Sequence, residues 1–552
     1  MSGLVNGLQN RLQQFESATD LILNPDNAIV RIFFNFVCRV PLHQNMDIDK
    51  IVSVPPSLTP VFYEVAGVNE GEWFATNDPA GQKVGSGGGT SWAISQKAES
   101  EGISVDDYLS LFNTKRIIIH AGGQSRRLPA YASSGKVLTP IPVMKWSRGQ
   151  RIDQNLLSLQ MPLLERILRN ASNSLKTLIV SGDVLIEADK LQANIPEADV
   201  VCFGLWTKPQ LATNHGIFCI KRENESTLDY MLQKPSLCQL EELAASHFYL
   251  MDIGLWLLSD KALKLLMKKC GWSNSENRFL EGRPRPYDLY SEFGTALGVN
   301  PSSPDNELSA LTVAIVQLDN GHFHHFGTSS ELITSSVALQ NRTCNQREIW
   351  HRKVKPQDSI FIQNAYTACS LTRENSNIWI ENSYISEKWH LSDRHILTGI
   401  PKNNWTLSLQ SGNCIDIVPI GDDEVAIRTY DIDDRFRGQL TDESTSFMGI
   451  SLIQWITSRN LSLTDFSPNT SMDIQNAPLF PVVKLSDLTE EMVLFMLEPV
   501  PSYSAWWRNA VRLSADEISS KANMRRLFAS RHALLVAAMP SMEANRQSVF
   551  YQ

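Results

Sequence analysis

The chain has 552 residues, which is too long for one ordinary hydrophobic core, so we expect two or three domains. Hydrophobic residues make up 43% of the chain and charged residues 20%, as in soluble globular proteins. The formal net charge of -9 argues against a general nucleic-acid binder, which needs excess Lys and Arg to replace the counterions of the phosphate backbone.

The N-terminal part of the chain differs in texture from the rest, and Pro55-Pro56 marks the boundary. We therefore expect residues 1–56 to form an extension. Met46 offers a shorter start, so the segment before it is expected to be dispensable. The apolar stretch at residues 29–42 is too short to span a bilayer and fits a secretory signal poorly, and no membrane segment is predicted elsewhere.

The eight cysteines contain no CxxC pair, so neither a zinc knuckle nor a dithiol redox site is indicated. They are spread through apolar stretches, as is typical of reduced core residues. This pattern indicates a cytoplasmic protein.

Strands and helices alternate within residues 57–340, which we assign to one domain. Residues 117–119 are a short β-branched run that ends in a glycine turn, as buried parallel strands do. Further strands are predicted at residues 177–180 and 199–205, with helically spaced leucines at residues 156–168. This alternation predicts a doubly wound α/β layer, in which ligands bind beyond the carboxyl ends of the strands.

Short apolar segments separated by polar or glycine-containing turns characterise residues 341–440. Their recurrence predicts a β-helix-like or other small β domain. Residues 441–552 are mixed and more helical, as at residues 511–538. The predicted strands of the β domain are residues 359–363, 377–381, 395–399, 405–409 and 414–418.

A first glycine-rich motif runs from Gly85 to Trp92. Because glycines have no Cβ, their N–H groups can converge on an anion, so we interpret the motif as a phosphate cradle rather than a flexible loop. It is not a dinucleotide fingerprint, because threonine occupies the last glycine position. The candidate nucleotide-binding residues here are Gly85, Gly87, Gly88, Gly89 and Thr90.

A second motif begins at His120 and continues to Lys136, with two glycines first, then two arginines, then the lysine. A triphosphate needs backbone donors for its phosphates and fixed cations for its pyrophosphate leaving group, whereas a solvated basic turn needs no such order. Gly135-Lys136 is not a Walker loop, because Val137 follows the lysine. We interpret Arg127 and Lys136 as catalytic cations. The candidate nucleotide contacts are Gly122, Gly123, Ser125 and Arg126.

The tripeptide Ser181-Gly182-Asp183 follows another predicted strand. A carboxylate at a strand end can hold Mg²⁺ against phosphate oxygens, so Asp183 is a candidate catalytic residue and metal ligand. Alone, the tripeptide is as typical of an ordinary turn. Its weight comes from its place on a second strand of the same predicted sheet.

Two further segments carry weaker signals. Lys234 could hold a sugar phosphate and Asp252 sugar hydroxyls, although the residues alone favour a surface lysine and a turn aspartate. Residues 321–328 include three histidines, but His324 and His325 are adjacent and would point to opposite faces of a strand. The sequence nearby completes no usual zinc set, so a phosphate- or sugar-facing turn is favoured.

Taken in order, the segments from Asp78 to Thr90 and from His120 to Lys136 resemble the L-fucose-1-phosphate guanylyltransferases. The resemblance extends from about Ser57 to the C terminus and is nearest to the guanylyltransferase half of the bifunctional bacterial fucokinase/fucose-1-phosphate guanylyltransferases. Further matching segments are residues 211–216, 233–236, 251–254, 287–290 and 351–356.

This resemblance implies a Rossmann-like nucleotidyltransferase core followed by a β-helical domain. It implies that GTP and L-fucose 1-phosphate react, with Mg²⁺, to give GDP-L-fucose and pyrophosphate. It also implies that the sugar phosphate is bound by His215, Gly216, Lys234 and Asp252.

Two departures from the family pattern affect the expectations. Many sugar nucleotidyltransferases have an aspartate as second metal ligand before a Gly-Thr pair, and here His325 stands at the similar place, so its role as a ligand is left open. No Pro-x-Gly-Leu-Gly-Ser-Ser loop of a kinase follows Phe326, so we expect that this chain does not phosphorylate fucose.

Alternatives of three kinds remain open from sequence. The first is another nucleotide or sugar, such as ATP, UTP or mannose 1-phosphate. The second is a non-catalytic regulatory or scaffold protein that keeps the nucleotide pocket, against which Arg127, Lys136 and Asp183 argue. The third, a GTP-hydrolysing switch, lacks a Walker loop. Neither a nucleic-acid nor a membrane partner is expected, and the oligomeric state is not indicated.

Overall fold

The computed structural model describes residues 47–79, 83–111, 114–142, 154–188, 195–223, 227–343, 359–372, 374–466 and 471–550. From Ile48 onward the described chain forms one unit. Residues 1–46, with Met46 and the apolar stretch at 29–42, lie outside the described residues, so their dispensability stays a prediction. Cys38, Cys344 and the matching segment at 351–356 lie outside them as well.

The first part of the chain builds a large sheet with helices on both faces. Nine strands form the sheet in the order β12-β6-β9-β4-β3-β1-β2, with β7 paired to β9 and β8 to β7. The strands are β1 (Asp47–Ser53), β2 (Trp73–Thr76), β3 (Thr114–His120), β4 (Leu175–Ser181), β5 (Val184–Glu187), β6 (Val200–Leu205), β7 (Gly216–Lys221), β8 (Leu228–Gln233), β9 (His247–Ser259), β10 (Trp272–Ser273), β11 (Arg278–Phe279), β12 (Val313–Gln317) and β13 (His322–His325). The α-helices are α1 (Phe62–Ala66), α2 (Gly85–Ser100), α3 (Val105–Ser110), α4 (Leu156–Asn170), α5 (Pro209–Ala212), α6 (Leu237–Leu243), α7 (Asp260–Lys269) and α8 (Ser329–Thr343).

The strands and helix predicted in this layer are confirmed as β3, β4, β6 and α4. The β-branched run of β3 pairs in parallel with β4, with Ile118 opposite Ile179. Helix α4 begins with a capping box, in which the Asn155 side chain accepts from the N–H of Ser158 and the Ser158 hydroxyl accepts from the N–H of Asn155. Its leucines then fall on the face that packs on the sheet.

The sheet is mixed rather than wholly parallel, because the long strand β9 runs antiparallel to both β4 and β6. Asp252 and Gly254 look like turn residues in the sequence, yet both lie inside β9. Gly254 has a φ of 71°, which kinks the strand locally without ending it. The interpretation of Asp252 as a turn aspartate is therefore wrong.

The carboxyl ends of β2, β1, β3 and β4 meet at one edge of the sheet, where ligands bind in open α/β layers. Backbone hydrogen bonds just beyond the strands join each end to its neighbour. These bonds are Val54 N to Thr76 O, Ala121 N to Ser53 O and Gly182 N to His120 O, each 2.8 Å.

The second part of the chain builds another sheet, in the order β14-β16-β18-β19-β20-β23-β24. Its strands, with two small pairs beside it, are β14 (Ile360–Gln363), β15 (Tyr366–Thr367), β16 (Ile378–Glu381), β17 (Tyr384–Ile385), β18 (His395–Thr398), β19 (Asn413–Ile420), β20 (Glu424–Asp431), β21 (Ser446–Phe447), β22 (Ile450–Ser451), β23 (Phe480–Lys484) and β24 (Val511–Leu513). The helices are α9 (Leu452–Ser458), α10 (Glu490–Leu497), α11 (Ser504–Asn509), α12 (Ala515–Lys521) and α13 (Met524–Phe550).

The β-helix-like region is confirmed by the parallel pairing of β14, β16, β18 and β19, with β15 and β17 parallel in a second small sheet. Four of the five predicted strands appear as β14, β16, β18 and β19. Residues 405–409 are not a strand. They make one isolated bridge, between Ser408 and His390, although Trp405, Leu407 and Leu409 are buried. Burial without ladder pairing produced the same apolar pattern as a strand.

The expected domain boundaries do not coincide with breaks in the structure. Strand β1 precedes the boundary at residue 56 yet lies within the first sheet, and α8 crosses the boundary at 340. The second sheet continues past residue 440, because β23 and β24 complete it. A single hydrophobic cluster contains Ile119 of β3, Leu164 of α4 and Trp379 of β16, so the two sheets share a core.

None of the described helices combines the length and the apolar character needed to cross a membrane. Among the described cysteines, Cys238 is exposed and the other five are buried, all as free thiols. The described cysteines therefore fit the expectation of reduced residues.

Candidate active site

The turn between β4 and β5 carries Asp183 at the carboxyl edge of the first sheet. Lys136 Nζ donates to Asp183 Oδ2 at 3.0 Å, and Ser181 Oγ donates to Oδ1 at 2.7 Å. His325 Nε2 lies 3.6 Å from Oδ2. Burial alone would raise the pKa of Asp183, but Lys136 and His325 hold it well below its usual range. Asp183 is therefore an ionised carboxylate in contact with two cationic side chains.

Lys136 reaches this turn from the loop of residues 121–136, which we call the cation loop. Its φ of 57° lies in the left-handed region, which costs of order 1 kcal/mol or more for a non-glycine residue. Gly135 also has a positive φ, and a Cβ there would lie 2.8 Å from the carbonyl oxygen of Ala121. The N–H of Lys136 donates to Tyr131 O at 3.0 Å. The local backbone thus directs the lysine towards Asp183.

His325 lies on β13, and its imidazole is flanked by two carboxylates. Its Nδ1 is 3.0 Å from Glu331 Oε2, on the opposite side from Asp183. Burial lowers the pKa of His325, but the two carboxylates outweigh burial and raise it to about 9. His325 is therefore an imidazolium at neutral pH. The adjacent His324 points to the other face, 3.7 Å from Glu187, as alternation along a strand requires.

The predicted sugar-phosphate residues His215, Gly216 and Lys234 lie at the end of the β7–β8 hairpin, beside His325. The rings of His215 and His325 are 5.7 Å apart in a T-shaped arrangement. Burial lowers the pKa of His215 to about 4, so its ring is neutral. Lys234 is exposed, has a φ of 48°, and donates its N–H to His215 O at 3.0 Å. A Cβ on Gly216 would lie 2.7 Å from Gln233 Nε2, so glycine permits the close hairpin.

Asp252 lies on β9 and is only 7% exposed. Burial raises its pKa to about 7, although Oδ1 accepts hydrogen bonds from Gly254 N at 2.9 Å and Trp256 Nε1 at 3.1 Å. The charges of Asp252 and Asp183 both act on the hydroxyl of Tyr290, whose pKa burial raises well above its usual range. Both aspartates therefore lie within electrostatic reach of this tyrosine.

The first glycine-rich motif is not a loop, because Gly85 begins helix α2. The N–H groups of Gly87 and Gly88 both donate to Tyr287 O at 3.0 Å, so these two amides already have a partner. A Cβ on Gly85 would lie 2.5 Å from the same oxygen. These glycines let the helix approach another backbone segment closely.

Two polar residues that were not predicted from the sequence lie between α2 and the sheet edge. His120 is deeply buried, which lowers its pKa to about 4, and its Nε2 is 2.8 Å from Thr90 Oγ1. Asp78 Oδ1 accepts from Ser53 Oγ at 3.4 Å, while its Oδ2 has no hydrogen-bond partner among the described residues. A Cβ on Gly89 would lie 3.3 Å from Asp78 Oδ1 and 3.3 Å from the His120 ring.

The cation loop begins with the remaining predicted glycines. Gly122 packs against the end of β1, where a Cβ would lie 3.0 Å from Ser53 Oγ, while Gly123 is exposed with no atom close to a Cβ position. Ser125 has a φ of 47°, so the backbone turns sharply here. The exposed Gly123 leaves this part of the loop accessible.

The two arginines of the cation loop differ in environment. Arg127 is exposed, and its charge contributes to lowering the pKa of Glu331. Arg126 is directed to the second sheet region, where Nη1 donates to Asp473 Oδ1 at 2.8 Å and to Phe436 O at 2.9 Å. Of these two arginines, Arg127 is therefore the one whose charge acts on Glu331, the carboxylate that contacts His325 beside the Asp183 turn.

Comparison with known proteins identifies the family. The family model described as the fucose pyrophosphorylase domain matches residues 109–302 and 306–485. The chain belongs to the fucose pyrophosphorylase family. It is 47% identical over 508 residues to the L-fucokinase/L-fucose-1-P guanylyltransferase of Bacteroides fragilis, a match that covers 91% of this chain and 53% of the relative. This chain thus spans about half the length of that relative.

Two more distant similarities were also found. The fucose-1-phosphate guanylyltransferase of Homo sapiens is 24% identical over 524 residues, covering 80% of this chain and 81% of the human protein. A solved structure of a mannose-1-phosphate geranyltransferase from Thermus thermophilus aligns with 70% of this chain and 96% of its own, at 12% identity and a TM-score of 0.29. A TM-score at this level supports no argument. The resemblance predicted from the sequence motifs is confirmed by the family match.

Asp183 is the carboxylate that the sequence predicts as a metal ligand. In the part of the chain that the structure describes, no three His, Cys, Asp or Glu side chains are grouped to hold one. Both ring nitrogens of His325 face carboxylates, with Nε2 at 3.6 Å from Asp183 Oδ2 and Nδ1 at 3.0 Å from Glu331 Oε2. Mg²⁺ commonly uses one or two carboxylates together with substrate phosphates, and Asp183 fits this smaller demand.

Glu331 is a charged residue of the candidate site that was not predicted from the sequence. It lies at the start of α8 and meets His325 across a turn. Nothing in its local pattern differs from an ordinary acidic residue of a first helical turn. Asp78, by contrast, is part of the segment that carries the family resemblance.

Proposed function

We propose that this chain is a fucose-1-phosphate guanylyltransferase that makes GDP-L-fucose and pyrophosphate from GTP and L-fucose 1-phosphate. The observation that carries the proposal is the Asp183 turn, where Lys136 and His325 contact one carboxylate within 3.6 Å. Transfer of a nucleotidyl group from a triphosphate requires fixed positive charge beside the phosphates, and Lys136 and His325 place cationic side chains next to a carboxylate that could hold Mg²⁺. The names of the relatives support the choice of sugar and base.

The reaction is an in-line displacement at the α-phosphorus of GTP. A phosphate oxygen of fucose 1-phosphate attacks, the bond from the α-phosphorus to the bridging oxygen breaks, and pyrophosphate leaves with that oxygen. The nucleophile is anionic near neutral pH, so no general base is required. Catalysis then consists of positioning and charge stabilisation.

The cationic side chains have two roles: two act on the pyrophosphate leaving group and one acts on the Asp183 turn. Lys136 and the exposed Arg127 stabilise the departing pyrophosphate. His325 keeps Asp183 ionised and oriented, because its imidazolium lies between Asp183 and Glu331. Asp183 would hold Mg²⁺, which would supply further neutralisation of the charge on the triphosphate.

We assign the sugar phosphate to the side of the His215–His325 pair that lies away from the Asp183 turn. The ammonium of Lys234 is exposed there and can hold the phosphate, while neutral His215 and the backbone at Gly216 shape the wall. We assign Asp252 to the sugar hydroxyls, because its Oδ1 accepts from Gly254 N and Trp256 Nε1 while Oδ2 has no hydrogen-bond partner in the part of the chain that the structure describes.

The nucleotide is assigned to the cation loop and helix α2. Gly122, Gly123 and Ser125 offer backbone donors to the phosphates. Gly85, Gly89 and Thr90 of helix α2 line the guanosine pocket in this assignment. Gly87 and Gly88 hold the helix in place, because their N–H groups donate to Tyr287 O. We also assign the protein to the cytoplasm, where free thiols such as those of the described cysteines are kept reduced.

The test is a panel of four nucleoside triphosphates against the 1-phosphates of L-fucose, mannose and glucose, with Mg²⁺ and pyrophosphate release as the readout. We expect the pair of GTP and fucose 1-phosphate to be fastest. Asp183→Asn should lose about 10²-fold or more in rate. Asp305→Asn, which alters a carboxylate paired with Lys269 at 2.6 Å on the surface, is the matched control. Folded protein that releases orthophosphate from GTP without sugar would contradict the proposal.

A further inference from the structure

We propose that the second sheet region acts as a positioning element for the cation loop, through Arg126, Pro129 and Tyr131. This inference rests on the proposed function, because it assigns these residues a part in placing Lys136 and Arg127 for catalysis. The region after residue 359 is then needed for turnover, although none of its described side chains bonds to the Asp183 turn.

The first anchor is the side chain of Arg126. Its Nη1 donates to Asp473 and to Phe436 O, while Nε donates to Gln124 Oε1 at 2.9 Å within the loop. Phe436 has a φ of 45°, an unfavourable backbone for a bulky residue, at the place where its carbonyl meets the guanidinium. Asp473 is itself fixed, because its Oδ1 caps a short turn by accepting from Gln475 N at 2.9 Å. The guanidinium therefore joins the loop to two constrained points.

The second anchor is buried. Arg428 of β20 donates from Nη2 to Pro129 O at 2.7 Å, while its Nε donates to Asp416 Oδ2 at 3.0 Å. Both charged side chains are 1% exposed. A buried ion pair is a poor source of net stability, because desolvation offsets the attraction. Its use here is geometric, since it aims one N–H of Arg428 at the backbone of the cation loop.

The third anchor lies two residues further on. Trp379 Nε1 of β16 donates to the hydroxyl of Tyr131 at 2.7 Å, and both side chains are fully buried. Tyr131 O in turn accepts from the N–H of Lys136. The contact from the second sheet thus reaches the catalytic lysine through one residue and one backbone hydrogen bond.

Between the anchors lies Arg127, whose carbonyl accepts from Ser329 N at 2.7 Å. Residues 126, 129 and 131 are held from the second sheet region, so the intervening backbone has little freedom to move. A displacement of about 1 Å in a positioned group can cost about 10²-fold in rate. The anchors are therefore expected to affect turnover more than substrate binding.

The experiment cuts the first anchor at its far end, away from the substrates. Asp473→Ser keeps an oxygen to cap the turn but is too short to reach Arg126. We expect kcat to fall about 10-fold or more, with KM for GTP within about twofold of the unchanged protein. The double variant with Arg126→Gln should have the kcat of Arg126→Gln alone, because the two residues act as one unit.

The matched control is Arg508→Gln, which breaks another Arg–Asp pair of the same region, with Asp465 at 3.2 Å, that does not contact the cation loop. Its kcat should be unchanged. Amide hydrogen exchange without substrates gives a readout that does not depend on the reaction. In Asp473→Ser, residues 126–136 should exchange faster, while β3 and β4 keep their protection.

The outcomes separate the two proposals. If the unchanged protein makes no GDP-fucose, exchange of the cation loop still decides the positioning role. Unchanged exchange and unchanged kcat in Asp473→Ser would overturn it. So would a raised KM for GTP in Arg126→Gln with normal kinetics in Asp473→Ser, because Arg126 would then contact the nucleotide directly. An equal loss in Arg508→Gln would reduce the effect to general destabilisation and also overturn it.

Discussion

Replacing Lys136 by methionine tests the Asp183 turn most directly. Methionine is unbranched, is one atom shorter than lysine and keeps the left-handed backbone cost, but it removes the charge. At 3.0 Å and an effective dielectric constant of about 20, the attraction between Lys136 and Asp183 is about 5 kcal/mol before desolvation is counted. His325 remains 3.6 Å from the carboxylate, so we expect the free energy of unfolding to fall by about 3 kcal/mol, at the lower end for a broken buried pair. Turnover should fall about 10²-fold or more, since a fixed cation is lost at the leaving group.

The second member of the set, Lys136→Met with Asp183→Asn, separates stability from catalysis. Neutralising Asp183 removes the carboxylate that has lost its lysine partner, so the double variant should recover most of the lost unfolding free energy in urea denaturation. Its pyrophosphate release should stay as low as in either single variant. Lys136→Arg, which keeps the charge, is the control for folding. Normal turnover in a folded Lys136→Met protein would refute the catalytic role, and a double variant no more stable than Lys136→Met would refute the ion-pair calculation.

Changes at three other residues give further predictions. Lys234→Gly and Lys234→Ala should raise KM for fucose 1-phosphate equally, while the glycine variant unfolds with a free energy higher by about 1 kcal/mol, because only glycine adopts a φ of 48° without strain. Asp252 has a folded pKa of about 7 against 3.8 for the unfolded chain, so the folded state keeps a proton in that interval and stability should fall as pH rises through it, by at most about 4 kcal/mol. Asp252→Asn should remove this slope in urea denaturation between pH 4 and 7, and a persisting slope would assign it to other groups. Asp78→Asn should lower kcat/KM for GTP by about 10-fold or more, because the Asp78 carboxylate oxygen that has no partner among the described residues suits the donors on the guanine edge. The loss for ITP, whose base lacks the amino group, should be smaller. Equal losses for the two nucleotides would place the base elsewhere.

The fold is predictable where local pattern and tertiary role agree. The β-branched run at residues 117–119 becomes β3, fully buried in parallel pairing with β4. The long strand β9 was not predictable, because Asp252 and Gly254 interrupt its apolar pattern and give the appearance of a turn. Pairing with β4 and β6 on both sides supplies the hydrogen bonds that keep this irregular segment in the sheet.

The site is predictable to the extent that its residues follow strands. Asp183 and the cation loop were found because the sequence placed both at carboxyl ends of neighbouring strands. Glu331 was not found, since its role depends on the distance from its helix to His325, which no local pattern encodes. The assignment of Arg126 to the nucleotide stays a prediction, although its guanidinium is bonded to Asp473 and Phe436 O.

Glycine-rich sequence could not distinguish a phosphate cradle from close packing. In α2, the amides of Gly87 and Gly88 donate to Tyr287 O, and added Cβ atoms would collide with the same segment. Both uses need the absence of a side chain, so composition alone is the same for each. The exposed Gly123, which has open space beside it, is the glycine whose surroundings suit a ligand better.

Positions with a left-handed backbone distinguish residues chosen for close packing from residues chosen for ligand binding more clearly. Gly85 and Gly135 have positive φ values at places where a Cβ would meet a carbonyl oxygen within 2.8 Å, so packing explains the glycine. Lys136 and Lys234 have positive φ values as well, yet a lysine costs more there than glycine would. The backbone conformation gives no reason for lysine at either position, and the two lie on opposite sides of the His215–His325 pair in our assignment. Their ammonium groups are what glycine could not supply: that of Lys136 pairs with Asp183, and both suit the proposed binding of two phosphate groups.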